Sequence, residues 1–328
     1  MLGSAGKAPN DYVLLALLGV TIAREETAMG SLYELATTAS AFAAPSHCDA
    51  HPPVRTSEPI SIPFGPDRQQ HCVLWEPDEV LHDMPVFYFH GGGYVFGEAE
   101  SMKDAANVYN ARGYRFCSVG FRKAPRHRFP AMVADAFRGL RAGMCWMEQN
   151  SRPCNRIAIG GTSAGGQQAA LLAYSPELQR TYDFPGERIA CCISVAGVAD
   201  AADLLVKPFP TFAAWRMQVG LPTMERTRAA MRAAVARYSP ADIVIADGAP
   251  AVPLFAVHGR ADKMSPYDSQ VRFVEALRAA NGPSASELIT LEGRKWQHMN
   301  TTVTFYKRDP DNDPIMRALF NFLNRSER

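Results

Sequence analysis

Apolar residues in the larger, C-terminal part of this chain come in short unbroken runs. His71–Trp75, Pro85–His90, Arg115–Phe121, Arg156–Gly160, Arg188–Val195, Val252–His258 and Glu287–Leu291 each have the length and content of a strand. Several are near-continuously apolar, as in Val86-Phe87-Tyr88-Phe89. A strand covered on one face alternates apolar and polar residues, so continuous runs predict parallel strands buried on both faces. Between them lie stretches predicted to be helical: Lys103–Arg112, stopped by Gly113, then Ala131–Gln149, Ala164–Ala173 and Ser269–Ala280. The last, Pro314–Asn324, opens with a proline, which suits the first turn of a helix. Strand and helix alternating in this way predict an α/β fold with a mostly parallel central sheet and helices on both faces.

Two segments break the rhythm. Residues 1–57 are Ala/Leu-rich, read as helical and end in the turn-forming His51-Pro52-Pro53. They are expected to form an N-terminal helical cap segment ahead of a catalytic domain at 58–328. From Ala199 to Ser239 there is no strand pattern, only Pro-punctuated loops and an Arg/Ala-rich helix with Trp215, Met217 and Met224. An insertion of that kind in an α/β domain usually covers the carboxyl ends of the strands, where ligands bind, so 199–239 is expected to be a cap insertion. Tyr12–Ala23 is apolar and follows Lys7, in the manner of a signal-peptide core. Asp11 before it and Arg24-Glu25-Glu26 after it argue against that, and it falls short of the roughly 20 residues a bilayer span needs. A buried or cap-forming helix, no stable membrane insertion and a cytoplasmic location are the expectation.

Composition narrows the function classes. The 328 residues are 47% hydrophobic and 20% charged, with a net charge of +1. No Lys/Arg block supplies the electrostatic footprint that nucleic acid requires. The 7 cysteines have no paired spacing, and Cys117, Cys191 and Cys192 sit in apolar runs where cysteine behaves as a small hydrophobe. A reducing compartment is expected, and no metal-finger spacing occurs.

The candidate chemistry centres on Gly161-Thr162-Ser163-Ala164-Gly165, directly behind the apolar run Arg156–Gly160. A serine at the apex of a glycine-lined turn from strand to helix is the nucleophile-elbow pattern Gly-x-Ser-x-Gly. A serine hydroxyl needs a base, usually a histidine oriented by a carboxylate, and donors for the developing oxyanion. His90-Gly91-Gly92-Gly93-Tyr94 follows the strand Pro85–His90, and its glycines free backbone N–H groups to face a substrate oxygen. The other reading of that loop is a phosphate cradle, but the chain lacks the Gly-Lys-Ser/Thr of a P-loop. Asp262, in His258-Gly259-Arg260-Ala261-Asp262, is the carboxylate candidate at a strand end, with Asp200 and Asp203 in reserve. His298 lies after the last strand run and downstream of both, which gives the order Ser, Asp, His. His90 and His258 read as strand-end residues that hydrogen-bond nearby loops, and His127 as loop-stabilising.

With these motifs the chain resembles α/β-hydrolases, most closely the bacterial hormone-sensitive-lipase-like carboxylesterases. The resemblance rests on His90 to Gly93, on Phe121-Arg122-Lys123-Ala124-Pro125-Arg126-His127-Arg128-Phe129-Pro130-Ala131 with Asp135 and Trp146 following, and on Gly161 to Gly166. It implies an α/β-hydrolase fold with a helical cap, Ser163 as nucleophile, Asp262 as acid and His298 as base. Gly92, Gly93 and Ala164 would supply the oxyanion hole, and no cofactor is called for. Threonine at 162 replaces the family's more frequent aspartate, and Lys123 and Arg126 replace its usual Leu and Glu. The segment around Asp262 is closer to the acid loop of feruloyl-esterase-like and peptidase-like hydrolases. Ile62-Pro63-Phe64-Gly65 is similar to a stretch of kynurenine formamidases.

The expected activity is hydrolysis of small carboxylic esters, short-acyl or aryl, through an acyl-enzyme. An arylformamidase or amidase using the same residues, or an inactive hydrolase fold that binds a small molecule, are the alternatives. Tyr94, Phe212, Trp215 and Met217 are the candidate substrate-pocket residues. The resemblance also implies a possible homodimer.

Overall fold

The computed structural model describes residues 58–205 and 228–328. Eight strands there form one sheet: β1 (Ile60–Pro63), β2 (His71–Trp75), β3 (Val86–Phe89), β4 (Phe116–Val119), β5 (Ile157–Thr162), β6 (Ile189–Val195), β7 (Leu254–Gly259) and β8 (Ser286–Leu291). Their order across the sheet is β1-β2-β4-β3-β5-β6-β7-β8. Strand β2 runs antiparallel to both its neighbours, and every other pairing is parallel. All seven runs expected to be strands pair in this sheet. Strand β1 escaped the sequence pattern because it is a short edge strand, with only Ile62 of its four residues buried.

The continuous apolar runs have the cause expected of them. Successive residues of a strand point to opposite faces, and both faces are covered here. Phe87 and Phe89 of β3 join one core with Met132, Leu140, Leu171 and Phe273. Val86 and Tyr88 join the other with Tyr109, Met316, Leu319 and Phe320. The first core is roofed by α2 (Ala131–Gln149), α3 (Ala164–Tyr174) and α8 (Tyr267–Asn281), and the second by α1 (Lys103–Asn110) and α10 (Pro314–Glu327). Shorter helices α4 (Pro176–Thr181), α5 (Ala201–Leu205), α6 (Arg228–Val235), α7 (Pro240–Asp247) and α9 (His298–Thr304) complete the described chain. Helix α10 begins as its sequence indicates, with Pro314 in the first turn and Asp313 accepting from the Ile315 and Met316 amides.

The expected N-terminal cap segment, 1–57, lies outside the described residues, as does 206–227 within the expected insertion. The flanks of that insertion are anchored to the sheet domain by charge. Asp200, after β6, is 2% exposed and accepts from Arg232 of α6 and Arg272 of α8, both at 2.7 Å. Asp242 of α7 pairs with the same two arginines.

A second buried ion pair fixes the loop after β4. Asp135, wholly buried in α2, takes a two-pronged bond from Arg122 at 2.7 and 2.9 Å, a further bond from the Arg122 amide and one from Gln70. The arginine and aspartate of the resemblance therefore remain paired despite the altered residues around them. Removing one partner of a buried pair leaves an uncompensated charge, so Arg122→Ala is expected to destabilise the protein by about 3 kcal/mol. Urea unfolding checks this, and a change below about 1 kcal/mol, the range of exposed pairs, would contradict it.

Candidate active site

Strand β5 ends at Thr162, and the chain turns at once into α3. Ser163 stands at that turn with φ 57° and ψ −120°, a conformation seldom adopted by a residue with a side chain. The turn is tight because the residues around it are small. A Cβ on Gly165 would lie 2.0 Å from the Phe89 carbonyl oxygen at the end of β3. The strain at Ser163 lifts its hydroxyl off the sheet, where the residue stays partly accessible. Its amide donates to the Val195 carbonyl at 2.9 Å, which ties the turn to β6.

His298 is the first residue of α9, which follows β8 across the loop at Gly293. Its Nε2 lies 2.7 Å from Ser163 Oγ and its Nδ1 lies 2.8 Å from Asp262 Oδ2. An ionised carboxylate only accepts hydrogen bonds, so Nδ1 carries the proton and Nε2 turns a lone pair to the serine hydroxyl. The carboxylate is held on every side. Asp262 Oδ1 accepts from the Met264 and Ser265 amides, both at 2.9 Å. Burial alone would push the Asp262 carboxyl upward, but the facing His298 and His258 rings more than offset this and hold it well below the usual carboxylate range.

Gly91 sits against the serine, since a Cβ there would come within 3.3 Å of the Ser163 Cβ. Gly92 is buried with φ 112°, and its carbonyl accepts from the Val95 and Phe96 amides, so the loop turns back on itself. Gly93, with φ 59°, is exposed, and a Cβ on it would meet no atom within 4 Å. Ala164 opens α3, where backbone N–H groups lack intrahelical partners and the helix dipole favours negative charge. Gly91 of the glycine loop and the N-terminus of α3 thus both adjoin Ser163.

The remaining expected residues fare differently. Tyr94, expected in the substrate pocket, is buried: it is 1% exposed, and its hydroxyl donates to the Ala164 carbonyl at 2.9 Å. Its ring lies edge-on to Phe121 and Phe129, so that it braces the elbow from within. Phe212, Trp215 and Met217 lie outside the described residues. The reserve acids are engaged elsewhere, Asp200 with two arginines and Asp203 with Ser269. His90 stacks on Phe121, its Nδ1 lies 2.7 Å from the Gly91 carbonyl, and burial pushes its pKa down to about 3, so it stays neutral. His127 lies 3.5 Å from Asp67, a contact between two loops.

His258 bonds a nearby loop as its sequence position indicates, but its contact with the acid, and the anchoring of the acid loop, had no clear sequence signal. His258, in β7, faces Ser265 O at 2.8 Å and Asp262 Oδ2 at 3.4 Å, and so backs the acid. Ser265 Oγ donates to the Gly197 carbonyl, which ties the acid loop to the loop after β6. Four-residue spacing between His258 and Asp262 was visible, but only the turn after β7 folds one back onto the other. Among the described residues no three His, Cys, Asp or Glu side chains come together to hold a metal ion. No described helix is long and apolar enough to cross a membrane.

Residues 86–292 match the family described as alpha/beta hydrolase fold. Esterase LipI of Mycobacterium tuberculosis is 31% identical over 186 residues, covering 50% of this chain and 55% of LipI. An ethyl acetate hydrolase of Pseudomonas putida is 33% identical over 111 residues, 34% of this chain and 35% of the hydrolase. The chain therefore spans about half the length of LipI and about a third of the ethyl acetate hydrolase. Among solved structures, an inhibited esterase B from Lactobacillus rhamnosis superposes with a TM-score of 0.68 at 19% identity, covering 91% of this chain and 94% of that one. That likeness is one of fold.

Proposed function

The chain belongs to the alpha/beta-hydrolase-fold family, and on that premise we propose that it hydrolyses small carboxylic esters through an acyl-enzyme formed on Ser163. One observation carries the reading: an unbroken hydrogen-bond relay from Asp262 through His298 to a strained, partly accessible serine, at 2.8 and 2.7 Å. In this mechanism Ser163 Oγ attacks the ester carbonyl while its proton passes to His298 Nε2. The carbonyl oxygen becomes an oxyanion, met by the N–H groups of Gly92, Gly93 and Ala164. Asp262 stabilises the imidazolium. His298 then protonates the departing alkoxide, which leaves an acyl group on Ser163. Water attacks that acyl group with its proton taken by His298, and the acid is released with the serine restored.

The names of the relatives favour esters over amides, LipI being an esterase and the Pseudomonas protein acting on ethyl acetate. Residues 1–57 and the insertion 199–239 are proposed to roof the serine and set the preference for short-acyl or aryl esters. The test is turnover of 4-nitrophenyl esters of increasing acyl length beside N-formylkynurenine. We expect the highest kcat/KM on the shortest acyl chains, with a decline as the chain grows. Turnover of the formamide in preference to every ester would replace this reading with an arylformamidase.

A further inference from the structure

Beneath the elbow, on the side of the sheet away from α3, lies a set of buried hydroxyls that the mechanism does not use. Tyr88 Oη and Thr162 Oγ1 are 2.7 Å apart, and both residues are buried. Thr162 immediately precedes Ser163. Tyr88 lies in β3, two residues before His90 and the glycine loop whose Gly91 sits against the serine. The Tyr88 ring also meets Tyr306 edge-on, with centroids 5.5 Å apart, and the Tyr306 and Tyr109 hydroxyls are 3.3 Å apart. Tyr306 belongs to the short turn Phe305–Lys307 that continues α9, the helix begun by His298. The hydroxyls therefore touch the strand that delivers the nucleophile, the strand that delivers the oxyanion loop and the segment that carries the base.

The backbone is shaped to allow this contact. Tyr88 pairs with Gly160 across the sheet, and a Cβ at 160 would fall 2.9 Å from the Tyr88 ring. With glycine there, the ring lies across β5 and its hydroxyl reaches Thr162, two residues further along the same face. Burial raises the Tyr88 phenol above its ordinary value, so it stays a neutral hydrogen-bonding group throughout the working range of pH. Ser163 holds a conformation that persists only if its surroundings over-determine it. A water-excluded hydrogen bond one residue before it is a means of doing so.

We propose that Tyr88 and Thr162 are a positioning pair that fixes Ser163 relative to the His90–Gly93 loop, with Tyr306 extending the same support toward the segment that carries His298. The proposal rests on Ser163 being the nucleophile. The pair acts on the placement of that residue and takes no part in proton transfer.

The experiment compares Thr162→Val, Thr162→Ser, Tyr88→Phe and the Val/Phe double variant with wild type. Readouts are kcat and KM on 4-nitrophenyl butyrate, the rate at which a fluorophosphonate labels Ser163, the pH profile of kcat/KM and stability in urea. Misplacing a reacting group lowers rate steeply, so Thr162→Val and Tyr88→Phe should each reduce kcat and the labelling rate about tenfold. KM and the acid limb of the pH profile stay unchanged, because neither binding nor the base is altered. The double variant is no slower than the slower single one, since both remove the same bond. Thr162→Ser, which keeps the hydroxyl, stays within about threefold of wild type.

A loss of stability with kcat and labelling intact would reduce the pair to packing and overturn the proposal. So would losses that simply multiply in the double variant. If Tyr88→Phe fails to fold, the contrast between Val and Ser at 162 decides. Wild-type protein that labels but turns over no ester would end the ester reading alone, and the labelling series still judges the pair. Wild-type protein that neither labels nor turns over ester overturns both.

Discussion

Ser163→Ala should abolish ester turnover, lowering kcat by about a millionfold, the scale seen when a member of such a triad is removed. The change deletes one oxygen atom. His298 Nε2, 2.7 Å from that oxygen in the wild type, then has no hydroxyl to deprotonate. What rate remains comes from substrate binding and the oxyanion donors acting on water. The fold should be spared, because alanine keeps the Cβ that the serine already carries at φ 57° and adds no strain to the turn. Initial rates on 4-nitrophenyl butyrate, together with an unfolding curve within about 1 kcal/mol of wild type, make the check. Turnover within a hundredfold of wild type would mean that another residue is the nucleophile.

Asp262→Asn should lower kcat by about ten-thousandfold while leaving substrate binding in place. The reason is local and can be traced atom by atom. Asp262 Oδ1 accepts two backbone amides, from Met264 and Ser265, so the asparagine oxygen is drawn to that side. Its NH2 group is left facing His298 Nδ1, where the wild type presents a carboxylate oxygen at 2.8 Å. A donor there forces the proton of His298 onto Nε2, which then points an N–H at Ser163 instead of a lone pair. The imidazolium would also lose its counter-charge.

Stability carries a second signature of the same variant. The folded Asp262 carboxyl lies below its unfolded value, so its contribution is fully present above the usual carboxylate range of about 4 and fades as pH falls below it. Wild type and variant should thus differ most in unfolding free energy at neutral pH and converge in acid. Urea curves at pH 7 and pH 3 test this. A difference that grows in acid would mean that the carboxyl is not the stabilising group described here.

These expectations draw on features of unequal legibility. The seven strands predicted from apolar runs, and the start of α2 at Ala131, follow from side-chain pattern alone. Two-sided burial demands apolar residues at every position, and a chain can satisfy that locally. Strand β1 was missed because a four-residue edge strand, Ile60-Ser61-Ile62-Pro63, alternates over too short a run to stand out from a loop. Tyr94, a candidate pocket residue by sequence, is 1% exposed, and its hydroxyl bonds the Ala164 carbonyl 70 positions away, a contact that no local pattern shows.

The sequence by itself determined the alternation of strands and helices, the serine at a glycine-lined turn, and the order of serine, aspartate and histidine along the chain. Each is a matter of local pattern or of chemistry that few residue types can perform. Only the tertiary structure decided which carboxylate faces His298, and it is Asp262, because Asp200 and Asp203 are engaged with Arg232, Arg272 and Ser269. It also decided what backs the site, bringing His258 onto the acid and Tyr88 onto Thr162. Those contacts join residues 74 positions apart in one case and fold a turn back on itself in the other. They depend on strand register and loop direction, which no run of neighbouring residues encodes.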